Sequence, residues 1–448
     1  FIYEGHPYAV EVRYRGNWGR YHNKKSWKIR FIDESPFPGQ EEINLRADYM
    51  DPSLMRSKLG TELFEAAGIQ TPQAEHVLLS INGEYWGVYT RAEQVDEGFL
   101  ARTGHDPAAS ISIYKAVETE FMDFSREQPS EQAYREAFDK KTNQDLDYSD
   151  IIAFIELINN TPDETFAYEL GRVFDVATYL DYYALIILTG NNDFSSHNAY
   201  LLHDLTTDRW TLVPYDLDRA FHPSDNWHEL PPDTPIDRGT PESPIWNWVT
   251  NLLLTRVLDV PQFRAYYCHR LGEFMDTIYS DAAMHSLIDA TYAAIEQDGL
   301  RDWRKHGWEN SDWFTAAPDE LKTYVTERKQ FLRGEMPEYC PADRPYVIIN
   351  EILADNRTVL EDPENPGEFP AWFELYNAGL ETVDLSGMYV TDDPDAPTKF
   401  QIADGVTIPP GGFITFFADG DPGRGPLHTN FRLDERGGRI RIFSGTQK

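Results

Sequence analysis

The sequence predicts an α+β region made of a strand-rich lobe and a helical lobe, followed by an all-β sandwich. Three observations carry this. Roughly residues 1–100 hold alternating apolar stretches around one helical segment. Residues 115–190 and 246–333 carry apolar side chains mostly at helical spacing. From Tyr346 onward, short alternating segments are separated by Gly, Pro, Asn and Asp turns, the pattern of a sandwich. At 448 residues the chain is too long for one ordinary core.

Taken in order, "YAVEVRYRG" alternates, "NWGRYHN" turns and "KKSWKIRF" alternates again, so a hairpin is expected with Gly16 and Gly19 in its turn. Residues 52–67, "PSLMRSKLGTELFEAA", read as an amphipathic helix with Leu54, Leu59, Leu63 and Ala66 on its apolar side and Gly68 as its stop. "AEHVLLSINGEYWGVYTRAE" is a second hairpin around Asn82-Gly83, a pair favoured in type I′ turns. "SDIIAFIELINN" and "DVATYLDYYALIILTG" are helices. The polar "GNNDFSSHN" follows, then the strands "NAYLLHD" and "RWTLVPYD", the second ending in the acidic "YDLDRAF". A Pro-rich stretch precedes the last helices, and "GEMPEYCPADRP" reads as a linker. The expected boundaries are 1–335 (lobes about 1–100 and 101–335), a linker at 336–345 and a sandwich at 346–448. The last strand ends close to Lys448, so the sandwich is expected to be cut short.

Composition narrows the function. Hydrophobic residues make up 41% and aromatics 14%, enough for packed cores. The net charge of −35 disfavours nucleic acid and anionic membranes as partners. It suits a salty or divalent-rich milieu, a solvated, solubilising surface being the plainer explanation. No apolar run reaches the roughly 18 residues of a membrane span. Cys268 and Cys340 allow one disulfide, which spacing alone leaves open. The first residue is not Met and no leader precedes the strands, so the chain reads as a fragment of a longer product.

The polar loops have the residue types of a phosphoryl-transfer site. Such a site needs a carboxylate to orient the acceptor hydroxyl, an amide oxygen to help hold a metal ion, and a second carboxylate on that metal. Asp193, Asn198 and Asp216 occur in that order, as D-x-x-x-x-N, a strand, then Asp, the arrangement of protein-kinase catalytic loops without their "HRD" or "DFG". Helix caps and turns are the alternative use of the same residues. Upstream, Gly16 sits in a hairpin suited to cover phosphates, and Lys25 and Lys28 lie on its returning strand. Alternation puts Lys25 with Trp27, Ile29 and Phe31, an odd place for a cation unless an anion waits there, or its stem snorkels. Lys28 falls on the other face, where simple solvation would suffice. Glu62 and Glu65 are candidate ion-pair partners, and Arg56 a candidate phosphate contact.

"RGNWGRYHNKKSWKIRF", "NLRADYMDPSLMRSKLGTELFEAAGI", "VLLSINGEYWGVYTRAEQVDEGFL", "GNNDFSSHNAYLL" and "WTLVPYDLDRAF", in that order over roughly residues 1–335, resemble the CotH kinase family, named for the spore coat protein H of endospore formers. The resemblance implies an atypical protein kinase fold that uses ATP with Mg2+ or Mn2+ and transfers the γ-phosphoryl to serine of coat or other extracytoplasmic proteins. It makes Asp193 the catalytic aspartate and Asp216 the metal-binding aspartate, assisted by Asn198. Lys25 would contact phosphate, Glu62 would be the helix glutamate, and Glu93 would lie at the lobe junction near the adenine, unless it merely favours a helix start. Asp218 would bind a second metal or pair with Arg219. The C-terminal hundred or so residues resemble a lamin tail domain, an immunoglobulin-like sandwich, through "INEILADN", "WFELYNAGLETVDLSGMYVTDD" and "IPPGGFITFFADG". That pairing implies a bacterial surface or secreted protein, anchored through the sandwich.

Other chemistries lack their motifs. HExxH, GxSxG and CxxC are absent, and His197 and His203 are not spaced as a metal pair. The serious alternatives are a catalytically inactive kinase-like structural or adhesion protein, and a transferase that moves another ATP-derived group, such as AMP, or glutamate.

Overall fold

A computed structural model describes residues 1–16, 21–32, 37, 40–105, 111–117, 124–191, 198–222, 231–244, 250–306, 312–340, 347–377, 382–393, 396–435 and 437–443. They fall into two compact units, Phe1–Val260 with Arg270–Met336, and Pro261–His269 with Pro337–Lys448.

The first unit opens with a small hairpin, β1 (Ile2–Tyr3) and β2 (His6–Pro7). A five-stranded antiparallel sheet follows: β3 (Val10–Tyr14), β4 (Trp27–Phe31), β5 (Glu42–Arg46), β6 (Ala74–Ile81) and β7 (Glu84–Ala92), in the order β3-β4-β5-β7-β6. Alternation buries Ile29 and Phe31 of β4 with Ile43 and Leu45 of β5 in one core. The central β5 is also buried on its other face, where Asn44 and Arg46 lie. The hairpin of β6 and β7 turns at Asn82 (φ +54°) and Gly83 (φ +82°), the left-handed pair that a type I′ turn demands.

Helix α1 (Arg56–Ala66) joins β5 to β6 and starts later than its apolar spacing suggests. The Asp51 carboxylate accepts from the backbone N–H groups of Ser53 and Arg56, each at 2.9 Å, so residues 52–55 form a capping turn. Leu54 is buried in that turn at φ +58°. Ala66 is exposed, and Phe64 joins Leu59 and Leu63 inside. The helix ends at Gly68, whose φ of +82° lets Ile69 N–H reach the Phe64 carbonyl at 3.1 Å.

The helical lobe comprises α2 (Glu97–Arg102), β8 (Ile111–Ala116), α3 (Glu131–Ala137), β9 (Phe138–Lys140), α4 (Ser149–Asn160), α5 (Asp163–Val173), α6 (Val176–Thr189), β10 (Ala199–Asp204), β11 (Arg209–Pro214), α7 (Leu252–Asp259), α8 (Pro261–Asp276), α9 (Asp281–His306) and α10 (Asp312–Tyr339). Its sheet runs β11-β10-β8-β9. β9 lies within a stretch expected to be mostly helical and β8 just before it. β8 is buried on both faces, so it lacks the clean polar alternation of a half-exposed strand. Helix α6 is buried at every residue from Tyr179 to Thr189, as a largely apolar helix must be, and its one carboxylate, Asp181, is paired with Arg270 at 2.8 Å. Asp175 caps its start and Gly190 (φ +61°) stops it. Among the described residues no helix is long and apolar enough to cross a membrane.

The second unit is all-β apart from the helix ends it includes and a 3-10 turn at Pro422–Arg424. Its strands are β12 (Val347–Leu353), β13 (Trp372–Asn377), β14 (Val383–Asp384), β15 (Tyr389–Thr391), β16 (Phe400–Gln401), β17 (Thr407–Ile408), β18 (Phe413–Phe417) and β19 (Arg441–Phe443). They pair as β12-β13-β18, β14-β17 and β16-β15-β19, around Phe373, Leu375, Leu385, Val390, Ile408 and Phe416. The fold class is therefore an α+β region followed by an all-β domain. Helix α10 continues to Tyr339, inside the stretch expected as a linker, and Cys340 is joined to Cys268 by a disulfide.

Candidate active site

Two polar segments at the outer ends of one hairpin meet because of strand arithmetic. β10 and β11 form an antiparallel hairpin in which Ala199 faces Pro214. One step outward, Tyr215 N–H donates to the Asn198 carbonyl at 3.0 Å, so Asn198 and the Tyr215–Asp216 pair share the open end of the hairpin. The polar loop enters from the end of α6. The last carbonyls of a helix have no partner within it. Here Ile187 accepts from Arg328 Nε at 2.8 Å, Leu188 from Tyr279 Oη at 2.7 Å and Thr189 from Phe221 N–H at 2.6 Å. Distant elements thus pin the point from which the loop departs.

Arg46, the last residue of β5, reaches this hairpin end. Its Nη2 pairs with Asp216 and lies 3.1 Å from Asp218 Oδ2, while Nε is 3.4 Å from Asp48 Oδ1. Asp48 also accepts from Thr90 and, at 3.3 Å, from Ser57. Burial opposes the Arg46 charge, but Asp216, Asp218 and Asp48 outweigh it and hold its pKa above the usual value. Burial, followed by the Asp216 charge, pushes the Asp218 carboxyl up to about 8 against the pull of Arg46 and Arg219. Burial likewise raises Asp48. Asp216 adopts φ +59°, a left-handed conformation that costs a non-glycine residue energy and is held only by its surroundings. Gly60 of α1 supplies part of that constraint: a Cβ there would sit 2.8 Å from Leu217 Cβ, so only glycine lets the helix approach so closely. A narrow hollow of about 20 Å³ lies beside Arg46 and Asp216, lined also by Thr61, Gln73, Thr90 and Leu217.

The expected site residues divide. Asp216 and Asp218 share Arg46, and Asn198 lies across the hairpin from them. Lys25 is half-buried and, after desolvation, is the next cause lowering the pKa of His22, with Arg219 the third. Gly16 is exposed at φ +84°, just past the β3–β4 pairing. Asp193, His197 and Gly19 lie outside the described residues. Other candidates are engaged elsewhere. Lys28 pairs with Glu42 at 2.5 Å on the neighbouring strand. Arg56 Nε lies 3.3 Å from Asp51, in the cap of α1, and Glu62 pairs with Lys58 one turn back. Glu93 is buried, takes Arg102 Nε at 2.9 and 3.0 Å on its two oxygens, and accepts from Gln73 N–H at 3.0 Å, fastening the end of β7 to α2.

Sequence reasoning missed Arg46, Asp48 and Gly60. Their signal was faint but present: "EINLRAD" places Asn and Arg on one face of a strand whose other face is Ile and Leu. Polar residues on a strand buried on both faces need partners, and Arg46 finds them in the acidic segment.

Similarity to known proteins follows the same division. Residues 12–332 match the family model described as CotH kinase protein, and residues 341–447 match the Lamin Tail Domain. The Inner spore coat protein H of Bacillus subtilis (strain 168) is 30% identical over 333 residues, covering 73% of this chain and 87% of that protein. An Inner spore coat protein H-like protein of the same organism is 28% identical over 102 residues, 22% of this chain and 33% of that one. Among solved structures, the Helicobacter pylori proinflammatory kinase CtkA aligns over 68% of this chain and 94% of its own with 11% identity and a TM-score of 0.31, too distant to inform the site. A matched family model over most of the first unit and a relative covered nearly end to end make the assignment: the chain belongs to the CotH kinase protein family and carries a lamin tail domain after it.

Proposed function

We propose that the first unit is an atypical protein kinase that transfers the γ-phosphoryl of ATP to a serine hydroxyl of coat or other extracytoplasmic proteins. The observation that carries this reading is the Arg46 guanidinium shared by Asp216 and Asp218 at the open end of the β10–β11 hairpin, with Asn198 beside them. Two carboxylates, an amide and a fixed cation are the parts a nucleotide's phosphates and their metal ion require.

The donor set suits a hard divalent ion. Among the described residues no three His, Cys, Asp or Glu side chains form a metal cage. Asp216 and Asp218 with the Asn198 amide would therefore supply part of a shell completed by water and phosphate oxygens, as Mg2+ or Mn2+ prefers. Bound there, the ion would neutralise charge on the phosphates. Asp216 and Asp218 would hold it, Arg46 would fix both carboxylates and offset their repulsion, and Asp193 would orient the serine hydroxyl and accept its proton. Lys25 would face the phosphates from the strand-rich lobe, beneath the turn containing Gly16.

The Cys268–Cys340 disulfide supports an oxidising, extracytoplasmic setting, and the similarity to a spore coat protein supports a coat or surface partner. The lamin tail domain would serve attachment. The test is phosphate transfer to serine in coexpressed surface or coat proteins, compared between wild type, Asp193→Ala and Asp216→Asn. Phosphoserine that depends on both aspartates is expected. Wild type that neither binds ATP with Mg2+ nor modifies serine would leave a structural protein as the better reading, and transfer of AMP or glutamate would redirect the assignment.

A further inference from the structure

Among the described residues, Arg15 and Lys115 of the first unit meet aromatic rings and hydroxyls where a carboxylate would be usual. Arg15, just past β3, donates from Nη2 to the Tyr215 hydroxyl at 2.9 Å. Lys115 of β8 has its Nζ 4.4 Å from the centre of the Tyr215 ring and 5.1 Å from that of Tyr200. Among the described residues neither forms an ion pair with a carboxylate. That is notable in a chain with 75 acidic and 40 basic side chains. Asp216, whose field also reaches both, is already held by Arg46. Arg15 and Lys115 are each half-buried, and desolvation lowers the Lys115 pKa. Two positive charges drawn partly out of water around one phenol, with no carboxylate paired to either among the described residues, are costly unless an anion arrives.

Their placement indicates which anion. Arg15 belongs to the strand-rich sheet next to Gly16, Lys115 to the helical-lobe sheet opposite Tyr200, and Tyr215 immediately precedes Asp216. The two cations therefore face each other across the cleft between the lobes, beside the carboxylates assigned to the metal. We propose that Arg15 and Lys115 grip a phosphate of the bound nucleotide directly, Arg15 exchanging its hydrogen bond to Tyr215 for one to a phosphate oxygen. This rests on the kinase reading and adds to it a hold on the nucleotide that needs no metal ion.

The experiment measures ATP and adenosine binding to the full chain by calorimetry in excess EDTA. Wild type should bind ATP at least about tenfold more tightly than adenosine, and Arg15→Gln and Lys115→Gln should each reduce that preference about tenfold, the worth of one hydrogen bond to a charged group. Lys115→Arg should retain it, and Arg135→Gln, a surface change, should leave it unaltered. In parallel, inorganic tripolyphosphate in EDTA should raise the melting temperature of wild type, a readout that requires no variant. Unchanged ATP preference in both glutamine variants, or no shift with tripolyphosphate, overturns the inference while leaving the kinase reading intact. Failure of wild type to bind ATP even with Mg2+ removes both.

Discussion

Lys24 and Asp302 form an ion pair 2.9 Å apart with both side chains wholly shut off from solvent. Asp302 also accepts from Val88 N–H at 2.7 Å, and Lys24 donates to the Val88 carbonyl at 2.5 Å. The segment returning from the Gly16 turn is thus bolted to α9 through β7. Removing one member strands a buried charge, so Asp302→Ala should lose about 3–5 kcal/mol in denaturant unfolding, while Lys24→Met with Asp302→Leu should recover most of it. Gly87→Ala should also destabilise, because its Cβ would fall on the Asp302 carboxylate.

Gly60→Ala tests whether α1 positions the acidic segment. The added methyl must displace Leu217, at an expected cost of about 1–3 kcal/mol in stability. Since Leu217 lies between Asp216 and Asp218, Mg2+-supported ATP binding should weaken further than the thermal melt alone accounts for. Calorimetry at a temperature where the variant is fully folded separates the two effects.

Asp193 and Asp216 should fail differently. Asp216→Asn should abolish Mg2+-dependent strengthening of nucleotide binding. Asp193→Ala should bind MgATP nearly as wild type does but transfer phosphate about 10²–10⁴-fold more slowly. Single-turnover transfer alongside equilibrium binding resolves the roles.

Asp150 sets part of the acid limb of stability. Burial raises its pKa, but hydrogen bonds with His203 at 3.0 Å and Tyr114 at 2.5 Å, helped by Lys140, bring it below the ordinary carboxylate range. A carboxylate depressed in the folded state stabilises above its unfolded pKa of about 3.9, and that contribution fades as pH falls through the folded value. The stability gap between wild type and Asp150→Asn should therefore be largest near neutrality and shrink toward about pH 3, as measured by urea unfolding across that range.

The Cys268–Cys340 disulfide spans 72 residues, and a loop of that size removes about 4 kcal/mol of chain entropy from the unfolded state in the simplest treatment. Reductant, or replacement of both cysteines by serine, should lower the melting temperature by a similar amount in each case.

Much of this was legible in the sequence where local rules govern. The turn at Asn82-Gly83 demands left-handed backbone, and β10 and β11 are short apolar runs bounded by polar turns, as buried strands are. The position of Asn198 and Asp216 at one hairpin end also follows from strand length. Lys24 was passed over because the alternation through Lys25 and Trp27 was extended into residues that precede the strand, which starts at Trp27. Arg46 was only faintly legible for another reason: the strand pattern marks it as needing a partner, but its partners are brought to it by the packing of two sheets, which no local pattern encodes. Ala66 followed the spacing of α1 but sits at its exposed last turn, where apolar character carries no instruction.

The left-handed backbone at Asp216 also bears on how such a protein could fall silent. Asparagine and glycine accept that conformation more readily than other replacements. A lineage could therefore discard its negative charge at this one position without straining the backbone, with Asp218 and Asp48 left to hold Arg46, and keep the scaffold for adhesion. Descendants that have taken this route should be recognisable by Asn or Gly there, beneath an otherwise untouched hairpin.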